Sequence, residues 1–312
     1  MIDPKDRLLY KVLKKYYEDG LTQQEIAAKY GISRIKVSRM ISKALSNKIV
    51  QIKINKPDDS SGDMENSLEE IFGLQEAIVV KTSSGCTVDD LGEAAAEYLS
   101  RCLQGNETIG LTWGRALLAS VNALTPADYP NIRIAQMLGG LGDPDSDTHG
   151  TDLAVRLAQL CKGKARLLNS PGIVRTREIR DSLMSELQIS ETLKLADKID
   201  IALVGVGSLR GDALIVQQSR IISQEETDRL LGKGAVGDVG LRFFNDAGIP
   251  IDDEINERVI GLTYEQIKSI PRVIGVAGGE SKQKSILAAI RSKLVNVLIT
   301  DDQTAKYLIQ NK

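Results

Sequence analysis

Leu8, Leu9, Val12, Leu13 and Tyr16 recur at helical spacing and predict an amphipathic helix that Gly20 ends. Thr22, with Glu25 three residues on, has the form of a capping box, so a second helix is predicted from Gln23 to Tyr30. Gly31 follows, where a tight turn needs a residue tolerant of positive φ, and Ser33 is placed to cap a third helix from Arg34 to Leu45. Ile26, Ala27, Ile32, Val37, Met40 and Ile41 form the apolar set that would pack these helices together. From Lys48 to Lys56 the pattern changes to strict alternation. Val50, Ile52 and Ile54 face one way and Gln51, Lys53 and Asn55 the other, which predicts the β element of a wing.

Residues 57–63, Pro-Asp-Asp-Ser-Ser-Gly-Asp, are polar and rich in helix breakers, and mark a linker. Met64, Leu68, Ile71 and Phe72 then make a helical stripe that would dock on its own domain or against another subunit. Beyond it, apolar runs alternate with helical patterns. The runs are Ala77–Val80, Thr108–Thr112, Ile132–Leu138, Ile199–Val204, Arg272–Ala277 and Asn296–Thr300. Alternation of this kind predicts a mostly parallel sheet covered on both faces. The expected fold class is α/β: an N-terminal winged helix-turn-helix over 1–56, and a Rossmann-like, mostly parallel α/β domain over 57–312.

Charge sharpens this division. Residues 1–56 carry ten lysines and three arginines against five acids, a net +8, whereas the whole 312-residue chain is −2 and the remainder therefore −10. A basic head on an acidic body is the asymmetry of a polyanion-binding arm on a soluble domain, although a basic surface can also be merely solvated. Gln23, Ser33, Arg34, Lys36, Ser38, Arg39 and Lys43 are the candidate DNA contacts. In a helix-turn-helix, side chains at the start of the last helix reach base edges while other cations contact phosphates.

Other classes are disfavoured. No apolar run approaches the ~20 residues of a membrane span, and the start lacks a signal core, so a cytoplasmic protein is expected. Cys86, Cys102 and Cys161 lie far apart, and His149 is the single histidine. A disulfide framework, a metal site and a histidine triad are therefore not expected, and no cofactor is called for. There is no phosphate loop of the Gly-x-x-x-x-Gly-Lys-[Ser/Thr] type.

In parallel α/β sheets ligands sit beyond the carboxyl ends of the strands. Here those ends carry Thr112, Trp113 and Gly114, then Gly139 and Gly140, then Gly278, Gly279, Glu280 and Lys282, with Ser281 as an expected helix cap. Asp238, in Gly234-Ala-Val-Gly-Asp238, offers a carboxylate for sugar hydroxyls, and Arg242 a cation for phosphate. Each element alone has a plainer reading: a glycine pair is usually a tight turn, Trp113 a core wall, and Asp238 and Arg242 an ion pair. Clustered at several strand ends, they predict a site for a small phosphorylated ligand.

The segments Tyr16–Ala27, Gly31–Arg39, Phe72–Val80, Gly110–Gly114, Gly234–Asp238, Ile274–Lys282 and Val295–Asp301, with Thr304-Ala305, resemble the SorC family of bacterial sugar-binding transcriptional regulators over essentially the whole chain. The resemblance implies an effector domain like sugar-phosphate isomerases and deaminases, used for binding a phosphorylated sugar, polyol or autoinducer-2-type metabolite. It also implies a homodimer or homotetramer on double-stranded operator DNA. Some members hold an aldehyde effector through a lysine in the segment that here reads Gln136-Met-Leu-Gly-Gly140, so covalent capture is not expected. The expected function is a repressor of a carbohydrate-utilisation operon. The rival is a sugar-phosphate isomerase or deaminase with a DNA-binding arm, using Asp238 and Glu280 as acid–base groups.

Overall fold

The computed structural model describes residues 4–53, 61–81, 87–141, 150–209 and 221–312, and the chain divides into two compact units, Met1–Asp58 and Asp59–Lys312. Ile54 to Lys56 of the expected wing, the first part of the expected linker, Cys86 and His149 lie outside the described residues.

The first unit is three helices: α1 (Pro4–Tyr17), α2 (Gln23–Tyr30) and α3 (Arg34–Ser46). Thr22 caps α2 reciprocally with Glu25, Gly31 ends it in the left-handed region at φ 64°, and the Ser33 side chain accepts from the Lys36 N–H. Val12, Leu13, Ile26, Ala27, Val37, Ile41 and Ala44 are buried together as its core. The expected wing strand does not form among the described residues up to Lys53. Lys48 turns the chain at φ 56°, Ile49 and Ile52 are exposed, and Val50 alone packs on the helical core. Among the described residues the alternation has no partner strand to pair with, and a strand without a ladder leaves its backbone groups without partners in the chain.

In the second unit, seven parallel strands form one sheet in the order β1-β10-β9-β5-β2-β3-β4. They are β1 (Glu76–Val80), β2 (Thr108–Leu111), β3 (Arg133–Gln136), β4 (Lys164–Arg166), β5 (Ile201–Gly205), β9 (Arg272–Val276) and β10 (Val297–Asp301). The helices of this unit are α4 (Gly62–Phe72), α5 (Val88–Cys102), α6 (Arg115–Ala123), α7 (Gly150–Leu160), α8 (Arg177–Ser185), α9 (Leu187–Leu193), α10 (Gln224–Gly232), α11 (Tyr264–Ser269), α12 (Gln283–Arg291) and α13 (Asp302–Gln310).

Successive strand residues point to opposite faces, and the sheet is apolar on both. Ala202 and Val204 of β5 and Leu298 of β10 join α4, α12 and α13 in one core. Ile201 and Leu203, with Val297 and Ile299, join α5, α6 and α7 in the other. Leu68, fully buried in the first of these, docks the α4 stripe on its own unit. A second sheet, antiparallel and unanticipated, has the order β6 (Gly207–Ser208), β7 (Ala235–Val239), β8 (Arg242–Asn245). Asp238 therefore lies within β7 rather than at a parallel strand end.

The strand order places a switch point between β2 and β5. From β2 the chain continues outward through β3 to β4, and from β5 it continues the other way through β9 to β10. The helix after β2 covers one face and the helix after β9 the other. A crevice opens at the carboxyl ends where such paths diverge.

Candidate effector cavity and nucleic-acid interface

In the head, α3 buries Val37, Ile41 and Ala44 and turns its opposite side outward. Ser33, Arg34, Lys36, Arg39 and Lys43 are exposed, whereas Gln23 and Ser38 are half-buried at the flanks. The Ser33 hydroxyl is engaged as the α3 cap, at 3.2 Å from the Lys36 N–H. The outward face thus presents Lys36, Arg39 and Lys43, with Arg34 exposed at the start of the helix, cations placed to meet phosphates and base edges. Ile35 also stands on this face and is 66% exposed.

The crevice in the second unit is a cavity of about 280 Å³. Three parallel strand ends build it. Thr112, Trp113 and Gly114 follow β2 and lead into α6, Gly205 ends β5, and Ala277 to Gly279 follow β9. The Thr112 hydroxyl accepts from the Gly205 N–H at 3.4 Å and ties β2 to β5. Gly114 precedes α6 at φ 126° without a side-chain cap, and Gly114 to Leu117 line the wall. A helix start of this kind directs N–H groups and positive potential at whatever it faces.

Asp238 and Lys282 form the polar end. Lys282 donates to the Val206 carbonyl at 3.0 Å, and the Asp238 carboxylate accepts from the Leu241 N–H at 2.9 Å. Burial pushes the Asp238 carboxyl up to about 6, against the opposing influence of the Leu241 N–H and the Lys282 charge. Ionised, this carboxyl accepts from a hydroxyl; protonated, it can also donate to one.

Glycines make room for this chemistry. A Cβ at Gly207 would lie 1.9 Å from an Asp238 oxygen, and one at Gly278 would lie 2.3 Å from Asp301. Asp301 caps α13 and also accepts from the Gly279 N–H at 2.6 Å, which fixes the loop after β9.

The cavity brings together Thr112, Trp113, Gly114, Asp238, Gly278, Gly279 and Lys282. It does not bring in Gly139, Gly140 or Glu280. The two glycines pack backbone against backbone: a Cβ on Gly139 would strike the Pro171 carbonyl at 2.5 Å, and Gly140 bridges to Pro171. Glu280 is exposed in the 3-10 turn Glu280–Lys282. Ser281 caps no helix, since Lys282 occupies the position before α12. Arg242 is also no phosphate cation: it is buried and donates to the carbonyls of Leu262, Asn256 and Gly261. Burial brings its guanidinium down to about 10, with the Arg180 charge adding to the effect.

Ser281 lines the cavity instead, and so do Arg115, Gly207, Ser208 and Gly240, which the sequence does not single out as site residues. The end of β5, Gly205-Val-Gly207, carries the same glycine signal as the strand ends that were chosen. Among the described residues no group of three or more His, Cys, Asp or Glu could hold a metal, and no helix is long and apolar enough to cross a membrane.

Comparison with known proteins places both units. Residues 58–310 match the sugar-binding domain family, and residues 10–47 match region 4 of sigma-70 factors. The deoxyribonucleoside regulator of Bacillus subtilis is 30% identical over 311 residues, covering 98% of each chain. The transcriptional regulator LsrR of Escherichia coli O139:H28 is 32% identical over 300 residues, covering 95% of this chain and 92% of the relative. The crystal structure of the full-length sorbitol operon regulator SorC of Klebsiella pneumoniae superposes with a TM-score of 0.77 at 29% identity, covering 97% of this chain and 98% of that one. With a basic helix-turn-helix at one end and a sugar-binding α/β unit at the other, the chain belongs to the SorC-type family of sugar-binding transcriptional regulators and is a DNA-binding regulator rather than an enzyme.

Proposed function

We propose that this regulator is a repressor of a carbohydrate-utilisation operon and that a phosphorylated sugar or polyol, bound in the second unit, releases it from operator DNA. The observation that carries the reading is the polarity of the cavity. Asp238 faces it as the acceptor for hydroxyls, and Lys282 supplies a cation beside the loop after β9 and the start of α6. A ligand with an anionic end and a hydroxylated body meets both. The names of the relatives point the same way, since one is a deoxyribonucleoside regulator and another a sorbitol operon regulator. The regulator acts in the cytoplasm as a homodimer or homotetramer, with α3 of each subunit, through Arg34, Lys36 and Arg39, on one operator half-site.

A thermal-shift screen of phosphorylated sugars and polyols, followed by anisotropy on duplex DNA, tests this. One compound class is expected to raise Tm through linkage and to lower operator affinity. Operator affinity unmoved by every compound that raises Tm sinks the proposal.

A further inference from the structure

We infer that Ile35 is a base-reading residue that contacts a thymine 5-methyl group in each half-site of the operator. The inference rests on α3 being the helix that enters the major groove.

A lone exposed isoleucine ordinarily asks for no explanation. The position of Ile35 is what singles it out. Val37, Ile41 and Ala44 define the buried side of α3. At about 100° per residue, Ile35 and Arg39 fall on either side of the direction opposite that core, one turn apart. Ile35 lies in the first turn, between Arg34 and Lys36, all three exposed. The start of this helix is the part of a helix-turn-helix that meets base edges. Cations around Ile35 would draw phosphates to its two sides and leave its own side chain facing the groove floor.

The groove offers an aliphatic side chain one apolar partner, the C5-methyl of thymine. A β-branched side chain in a helix is held near one χ1 rotamer, so little freedom is lost on contact. Ile35 takes no part in the core of the head and is 66% exposed. Its replacement therefore leaves the fold in place, and an effect on DNA reads recognition.

Selection from a random duplex pool with the full-length protein yields a binding sequence. Anisotropy is then measured on that duplex and on versions with each symmetric thymine pair replaced by deoxyuracil, which removes only the methyl. The wild type is expected to lose about fourfold in affinity per half-site at one thymine pair, the effect of one buried methyl group. Ile35→Ala should bind the parent duplex more weakly by at least that factor, be insensitive to deoxyuracil at that pair, and keep its affinity for non-selected DNA. Uniform indifference of the wild type to deoxyuracil overturns the inference, as does equal sensitivity of wild type and Ile35→Ala. If the wild type selects no sequence at all, or if Arg39→Ala binds duplexes as well as the wild type does, the reading of α3 fails first and this inference falls with it.

Discussion

Asp238 is the residue whose surroundings do most to set the behaviour of the cavity. Its carboxyl is nearly inaccessible, and burial raises it to about 6. The free carboxyl titrates near 3.9, so the folded state holds the proton more tightly than the unfolded chain between those values. Stability contributed by this group is therefore present at low pH and lost as pH rises from about 4 to about 6, the reverse of an ion-paired carboxylate. Asp238→Asn removes the ionisation and can keep the hydrogen bond from Leu241. We expect the variant to gain stability relative to the wild type above pH 6, by on the order of 2–3 kcal/mol, and to lose that advantage below pH 4, as denaturant melts at pH 4 and 7.5 would show. Ionised Asp238 is the better acceptor for ligand hydroxyls, so the same substitution should weaken effector uptake at pH 7.5. A variant no more stable at pH 7.5 than at pH 4, relative to the wild type, contradicts the assignment.

Among the elements, the parallel strands were legible because each is a short apolar run buried on both sides. Six of the seven were marked in the sequence within a few residues. The edge strand β4 was not, since its Lys164 and Arg166 are exposed and its three residues carry no run. The antiparallel sheet was missed for a related reason. β6 is two residues long, and β7 contains Gly237, which passes so close to Ser285 that a Cβ there would lie 2.6 Å from its Cβ. Glycine chosen for close approach erases the β-branched pattern by which strands are recognised. The same blindness placed Gly139 and Gly140 in the ligand site, although their freedom is used against Pro171.

The loop before the 3-10 turn Glu254–Glu257 was equally silent, yet it holds a buried carboxylate that pairs with two cations. Arg229 of α10 donates to both oxygens of buried Asp253 at 3.0 Å, and Lys233 lies 2.9 Å away. Burial pushes Asp253 up, but hydrogen bonds from Arg229, Lys233 and the Ile255 N–H outweigh it and hold the carboxyl far below the usual carboxylate range. Because the folded value is depressed, its stabilisation is present above pH 4 and lost as pH falls below. Asp253→Asn keeps the cap but loses both ion pairs. It should cost roughly 2 kcal/mol at pH 7, with the gap to wild type closing below pH 4 in urea melts. A gap that stays constant with pH would show that packing, not charge, is what the substitution removes.

At the scale of the whole molecule the question is how a cavity in one unit alters the grip of another. Two compact units joined through a polar segment do not by themselves require any mechanical link. What thermodynamics requires is reciprocity: if the effector lowers DNA affinity by some factor, operator DNA must lower effector affinity by the same factor. Any shift is limited by the difference in effector affinity between the DNA-competent and DNA-free states. Lys282 is the residue on which to test this, because it touches the cavity and stands on the loop after β9. Lys282→Ala should weaken a phosphorylated effector by about 1.5–3 kcal/mol, the magnitude of a charged hydrogen bond lost. It should leave operator affinity without effector unchanged. At saturating effector, the fall in operator affinity should remain in full if Lys282 only binds, and shrink if Lys282 also distinguishes the two states. Calorimetric titration of effector into protein, with and without operator duplex, measures both sides of the cycle. Unequal coupling factors in the two directions would mean that a third equilibrium, such as subunit assembly, is linked to both ligands. Operator affinity lost in Lys282→Ala without any effector would place the residue in the fold rather than in the site.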